Sequence, residues 1–335
     1  MNFKRGLIVL AFLFAQFSFS QEGVAVYSDY LSDNYYLIHP SMAGAANCGK
    51  VRLTARQQWM GQEDAPALQT VSFNTALDED GVSGIGLIAF NDRNGYHSQR
   101  GGKITYAHHI RFSRTTADLN QLSFGLSGAF IQSSIDGTDF IGQPFDPRVL
   151  PGVIQKDSYF NVDLGASYHY MDFFTHVTIK NFLANRRELY SREIESDNLR
   201  KVLWSAGGVF GDPDRLLFEP SFMFQWIQET KEKTIDLNMK VYKNLDFGRL
   251  WAGLSYRRSF DEAEYTINGI SIERQRMQYI TPIVGLNYKQ FMFAYTYSHL
   301  LGDVRFDNGG FHQITLGFDV FCKAAAWDCN CPAVN

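Results

Sequence analysis

The sequence predicts an all-β fold: a transmembrane antiparallel β-barrel of about 14 strands, with both termini periplasmic. Three observations carry this expectation. Segments of about ten to fourteen residues alternate apolar and polar side chains with period two. The connections between them are short at one end and often long at the other. The chain also begins as exported proteins do, yet past residue 20 no stretch approaches the about 18 consecutive apolar residues that a spanning helix needs.

The opening residues Met1, Asn2, Phe3, Lys4 and Arg5 are basic, Leu7 to Phe14 form an apolar run, and Ser18 and Ser20 are small. That order reads as a secretory signal peptide over residues 1–20, cleaved after Ser20. Gln21 follows rather than Cys, so a lipoprotein anchor is not indicated. About 315 residues remain (335 minus 20), enough for one large all-β domain. Aromatics reach 15% while charged residues hold at 20%, the mixture expected when residues alternate between lipid and water. A net charge of only -4 argues against a nucleic-acid partner.

Residues 21–49 hold Tyr27, Tyr30, Tyr35, Tyr36 and Leu37 before the first strand. They are too aromatic for a solvated linker and are expected either to pack into or under the periplasmic mouth, or to form an ordered lead-in strand. The barrel is expected over residues 50–321. Its strands read as 50–60, 67–77, 82–91, 101–112, 119–132, 157–170, 173–183, 200–210, 215–229, 233–243, 248–259, 277–289, 291–300 and 311–321, each bounded by turn residues. In "FNVDLGASYHY", Phe160, Val162, Leu164, Ala166, Tyr168 and Tyr170 form a row facing lipid, and Asn161, Asp163, Gly165, Ser167 and His169 a row facing the interior.

After even-numbered strands the connections are short and polar, "DEDG", "MD", "GDPD" and "KQ" among them. After odd-numbered strands residues 92–100, 133–156, 184–199, 260–276 and 301–310 read as longer loops, and only 230–232 breaks the rule. An even strand count returns the chain to its starting side, and closure removes edges whose backbone lipid cannot satisfy. A secreted β-sandwich would also alternate, but its strands usually run about five or six residues. Trp59, Tyr168, Tyr170, Trp226 and Tyr288 near strand ends read as interfacial girdles.

Charges on the inward rows are candidate lumen groups: Arg52, Arg56, Lys103, Arg111, Asp163, Lys180, Asp236 and Lys240, together with Arg257, Asp319 and Glu219. Both signs in a confined lumen are expected to pair and knit the barrel. Four cysteines, Cys48, Cys322, Cys329 and Cys331, are candidate disulfide partners in an oxidising compartment, with three possible connectivities. A bridge between Cys48 and the Cys-containing tail, residues 322–335, is geometrically possible because both leave the barrel on one side.

The residues give no catalytic, cofactor or metal site. His108 and His109 are adjacent in a strand and point to opposite faces. "GVSGIG" lacks the helix that a pyrophosphate needs, and its glycines suit curvature or close packing inside the barrel. "DEDG" and "GDPD" do not fit a calcium loop, and Cys-Asn-Cys has no following His at ligand spacing. Ser167, His169 and Asp163 share one row but step about 7 Å apart, too far for a triad by themselves.

The stretch His39, Pro40, Ser41, Met42, Ala43, Gly44, then Arg56, Gln57, Gln58, Trp59, then Ala65, Pro66, Gln69, Thr70 resembles the opening of the PorP/SprF family of Bacteroidetes outer-membrane proteins. "GIGLIAFNDRNGYHSQRGGKITYAH" and "FDNGGFHQITLGFDVF" are similar to its Gly-rich and closing strands, so the resemblance spans nearly the whole mature chain. Departures are His39, where Asn is usual, and the Cys-rich end. The resemblance implies a component of the type IX secretion and gliding machinery in the outer membrane. It further implies partners: a large secreted cell-surface adhesin bound through its C-terminal sorting domain, other secretion components, and outer-membrane lipid. Loops 133–156, 184–199 and 260–276 are the expected contact surface. A solute channel is the alternative function.

Overall fold

The computed structural model describes residues 31, 34–58, 65–113, 118–140, 150–185, 199–267, 271–302 and 310–323. The expected signal peptide, residues 1–20, Trp59, most of loop 184–199 and the tail beyond Lys323 lie outside them.

The strands are β1 (Gly49–Gln58), β2 (Ala67–Ala76), β3 (Ser83–Asn94), β4 (His97–Arg111), β5 (Asn120–Asp136), β6 (Ile154–Tyr170), β7 (Phe173–Lys180), β8 (Lys201–Gly208), β9 (Phe210–Asp212), β10 (Leu216–Ile227), β11 (Lys233–Leu245), β12 (Gly248–Ile267), β13 (Ser271–Tyr288), β14 (Phe291–Leu301) and β15 (Phe311–Val320). β8 and β9 are two lengths of one barrel strand, because both pair with β10 in a single register: Gly207 faces Ser221 and Phe210 faces Phe218. The interruption falls beside Pro220, which has no N–H to give the ladder. Every neighbouring pair is antiparallel, and β1 pairs with β15 from Gly49↔Val320 to Gln58↔Phe311, so the sheet closes as a 14-strand barrel.

Alternation places the side chains. On β6, Phe160, Tyr168 and Tyr170 are exposed on the outer wall, while Asn161, Asp163, Ser167 and His169 are buried inside. On β5, Phe124, Leu126 and Phe130 point out, and Gln121, Ser123 and Ser127 point in. The outer rows form an apolar belt, and an arginine replacing Leu126 at mid-membrane would cost about 2–4 kcal/mol.

Both ends of the barrel sequence meet at one rim, called here the terminal end. Its turns are tight: Met171–Asp172 and Lys289–Gln290 each join two strands directly, with Met171 at φ 52 and Lys289 at φ 53. In the β2–β3 turn the Asp78 carboxylate accepts the N–H groups of Val82 and Ser83, both at 2.7 Å. Slight burial raises its pKa, but these bonds outweigh that and hold it below the ordinary carboxylate value. Lys323 donates to the carbonyls of Asp78 and Glu79, tying the end of the last strand to this turn.

Two expected loops at the far end are strand instead. Residues 92–100 belong almost wholly to β3 and β4, which pair up to Asn94↔His97 because Gly95, at φ 58, turns the chain in two residues. Residues 260–276 largely continue β12 and β13, which pair from Glu262↔Arg276 to Ile267↔Ser271 after a register shift. Among the described residues neither β11 nor β14 follows that far: β11 begins to pair at Thr234↔Ser259 and β14 pairs to Gln278↔Leu301. A two-stranded ribbon therefore stands beyond the far rim. Loop 133–156 is likewise shortened, since β5 runs to Asp136 and β6 starts at Ile154.

Candidate functional site: the occupied lumen

Residues 34–46 lie inside the terminal half of the barrel. Tyr35–Ile38 form one helical turn, α1, closed by the His39 N–H on the Tyr35 carbonyl at 2.8 Å. Pro40 cannot extend that turn and instead starts a 3-10 turn, Pro40–Met42. Gly44, at φ 69, then turns the chain back toward Cys48. No residue from Asn34 to Ala46 carries a formal charge. The segment is nonetheless polar enough to be read by the wall, through tyrosine, histidine, serine and asparagine.

Each side chain meets a different strand. Asn34 Nδ2 donates to Ser72 Oγ on β2 at 3.1 Å, and the hydroxyls of Tyr36 and Thr105 on β4 are 2.8 Å apart. His39 bridges two strands, with Nδ1 2.8 Å from Thr178 Oγ1 on β7 and Nε2 3.1 Å from Ser205 Oγ on β8. Its ring stacks on His176 at 4.8 Å. Burial above all, then the Lys180 ammonium and His169, push the His39 imidazole down to about 3. Ser41 Oγ meets Ser167 Oγ on β6, and the Ala43 carbonyl meets His109 Nε2 on β4 at 3.1 Å.

The wall makes room for this chain by omitting side chains. A Cβ on Gly84 would overlap the Ala43 carbonyl, one on Gly86 the Tyr36 ring, and one on Gly125 the backbone of Pro40. Tyr35, Leu37, Ile38 and Met42 complete an apolar cluster with Phe174, Leu203, Leu217, Tyr242 and Trp251.

Tyr35 reaches the facing wall. Its hydroxyl donates to Glu219 Oε1 on β10 at 2.8 Å, where Tyr242 donates to Oε2 at 2.7 Å and Lys240 forms an ion pair at 3.1 Å. Glu219 and Lys240 are both fully buried. The Lys240 ammonium also sits over Tyr35, Tyr242 and Trp251, 5.5 to 5.8 Å from the ring centres.

The other candidate charges divide by depth. Arg257 forks onto Asp236 at 2.5 and 2.7 Å, Lys103 pairs with Asp163 at 2.6 Å, and Arg52 with Asp319 at 2.8 Å. Arg56 is buried with its guanidinium 5.1 Å over Phe311. Lys180 is half-buried and donates to the Leu37 carbonyl of the inserted segment at 3.5 Å. Arg111 is a correction: it is exposed at the terminal rim, 3.5 Å from the Gly81 carbonyl, because β4 ends there and no lumen surrounds it.

Cys48 and Cys322 are joined by a disulfide at the junction of β1 and β15; Cys329 and Cys331 lie outside the described residues. His108 is exposed on the outer face while His109 is buried inside. Ser167 does approach a histidine, but it is His176 at 2.8 Å, and Asp163 is engaged by Lys103 and the Asn181 N–H. Those groups are buried under the inserted segment and form no nucleophilic triad. Among the described residues, no group of three His, Cys, Asp or Glu is placed to hold a metal ion. His176, Tyr242, Trp251 and Gly125 escaped the sequence reading, which met His39 only as a departure from the family pattern and read the glycines of "GVSGIG", Gly84 and Gly86 among them, as suited to curvature or close packing inside the barrel. The one available signal was glycine on inward rows, at Gly84, Gly86 and Gly125, opposite a segment too aromatic to be solvated.

Residues 19–318 match a family model described as type IX secretion system membrane protein PorP/SprF. No curated protein matches the chain. Among solved structures it is similar to CdiB from Acinetobacter baumannii, with a TM-score of 0.44 and 10% identity, over 81% of this chain and 59% of that one. It thus spans about three fifths of that protein's length. It is also similar to a Pseudomonas aeruginosa FadL homologue (TM-score 0.47, 10% identity, 81% and 90% covered) and to the CymD monoaromatic hydrocarbon channel (TM-score 0.47, 9% identity, 89% and 92% covered).

Proposed function

Since the chain belongs to the PorP/SprF family of type IX secretion system membrane proteins, we propose that it is a non-enzymatic barrel that binds, anchors or helps export a large cell-surface adhesin. The chain is an outer-membrane β-barrel of the type IX secretion system in a bacterial cell. In the proposed orientation the terminal end faces the periplasm and the far end faces the exterior. The adhesin is engaged through its C-terminal sorting domain.

The observation that supports this reading is the β12–β13 ribbon, whose paired residues Glu262–Ile267 and Ser271–Arg276 outrun, among the described residues, the pairing of both neighbouring strands. Among the described residues its β12 edge stands open above the rim, where an extended partner segment can add by main-chain pairing. Affinity purification from native membranes tests it. Recovery of a very large surface protein or of other secretion components supports the proposal, and a barrel that always purifies alone overturns it. The alternative, a solute channel, would require Tyr35 and Tyr36 to leave the lumen they cross.

A further inference from the structure

We infer that residues 34–46 are a removable plug: they close the barrel at rest, and they can withdraw toward the terminal end while Cys48–Cys322 keeps them attached.

The first support is coverage. Around the barrel β3 and β11 stand on opposite sides. The Tyr36 ring lies against Gly86 on β3, and the ring of its neighbour Tyr35 lies under Lys240 on β11. The segment therefore crosses the lumen rather than lining one wall.

The second support is how the charges are shared. The plug contributes none, and the wall pairs its own: Lys240 with Glu219, Arg257 with Asp236, Lys103 with Asp163, Arg52 with Asp319. Glu219 would lose Tyr35 on withdrawal but keep Tyr242 and Lys240. The same holds for the hydroxyls. Thr105 retains Ser127 at 2.7 Å, and Ser167 retains His176 at 2.8 Å. A segment needed to complete the wall would leave buried charges stranded, which is strongly unfavourable. Withdrawal releases Lys180, Thr178, Ser205 and His109 Nε2 from the plug to meet the water that replaces it, while the carboxylates of Glu219, Asp236, Asp163 and Asp319 keep their wall partners.

The third support is the attachment. Gly44 and the short run to Cys48 form the only covalent link between the plug and β1, and Cys48 is bonded to Cys322 just past β15. The disulfide fixes the plug's base to the rim on both sides of the seam. Withdrawal then leaves the plug beside the mouth, free to return. The passage so opened is lined by Ser, Thr, Asn, Gln and paired charges, which suit water and hydrated ions, beside an apolar patch of Phe174, Leu203, Leu217, Tyr242 and Trp251.

The test uses the full mature chain in planar bilayers with potassium chloride as the probe. Ser41→Cys with Ser167→Cys, confirmed as cross-linked by mass spectrometry, locks the plug through two hydroxyls already in contact. A variant lacking residues 34–43 but retaining Cys48 removes it. The expected results are steady conductance at least about tenfold above wild type in the deletion, and loss of the wild type's transient openings in the locked protein but not in either single variant. If the deletion, shown to be folded by circular dichroism and heat-modifiable gel mobility, conducts no more than wild type, the plug does not close the lumen and the inference fails. If the locked and wild-type proteins open equally often, the plug does not move and the inference also fails. Neither readout depends on an adhesin, so the proposed function can fail separately.

Discussion

Tyr35 and Tyr36 are neighbours in the chain, yet their hydroxyls end on different walls of the barrel, Tyr35 on Glu219 of β10 and Tyr36 on Thr105 of β4. One helical turn suffices for this, because successive side chains on a helix diverge by about 100°.

Tyr35→Phe removes one hydrogen bond to a charged acceptor, a loss of about 1.5–3 kcal/mol in the plug's seating. The barrel should survive, since Glu219 keeps Lys240. Limited proteolysis within residues 34–46 should speed up markedly while heat-modifiable mobility stays unchanged.

Glu219→Ala strands the Lys240 ammonium in a fully buried position. The barrel itself should lose about 3–5 kcal/mol, the penalty for breaking a buried pair from one side. Denaturation in urea would register this. The double variant Glu219→Ala, Lys240→Met should recover much of the loss.

Gly125→Val places a side chain where the Pro40 backbone runs. It is expected to exclude the plug without disturbing the outer wall, giving the protease sensitivity and ion conductance of the plug deletion. Normal protection of residues 34–46 in this variant would contradict the packing described.

Acid should loosen the plug. His39 has a folded-state pKa pushed down to about 3, below its ordinary value, so the seated form binds fewer protons than the released one. Seating is therefore complete above about pH 6.5 and weakens as pH falls from there toward 3, by up to about tenfold per pH unit for one such group. His169 on β6 and His176 and Lys180 on β7 face it, and no carboxylate is among the groups that set its shift. Protease sensitivity of residues 34–46 measured against pH should show this slope, reduced in His39→Asn.

Removing residues 262–276 should leave a folded barrel, because β12 and β13 remain paired from Arg258↔Gln278 to Arg249↔Asn287. Under the proposed function the truncated protein loses its adhesin in affinity purification from native membranes. Retention at the wild-type level would move the contact surface elsewhere.

Much of this was legible in the chain. Arg52, Thr54 and Arg56 alternate with Leu53 and Ala55, and that pattern is sufficient to set which side faces in, since a one-residue slip would reverse every side chain. The expected bounds erred where pairing outran hydrophobicity. At 92–100 the residues are polar on both faces, and at 260–276 Tyr265 and Ile267 fall on one row and Ile270 and Ile272 on the other, so period two carries no clear signal in either stretch, while the backbone ladder pairs both. Cys48 was placed near the tail by topology, yet the choice of Cys322 as partner depended on β1 meeting β15 at one rim.

The sequence by itself determined the barrel, its inner and outer rows and its family, because these follow from local alternation, strand length and the order of short motifs along the chain. Only the tertiary structure decided that the lumen is filled from within. That outcome rests on Pro40 against Gly125, Tyr36 against Gly86 and Tyr35 on Glu219, contacts between residues as far as 184 positions apart. No periodicity encodes such contacts, since they exist only once closure has brought the opposite walls within reach of a single turn of helix.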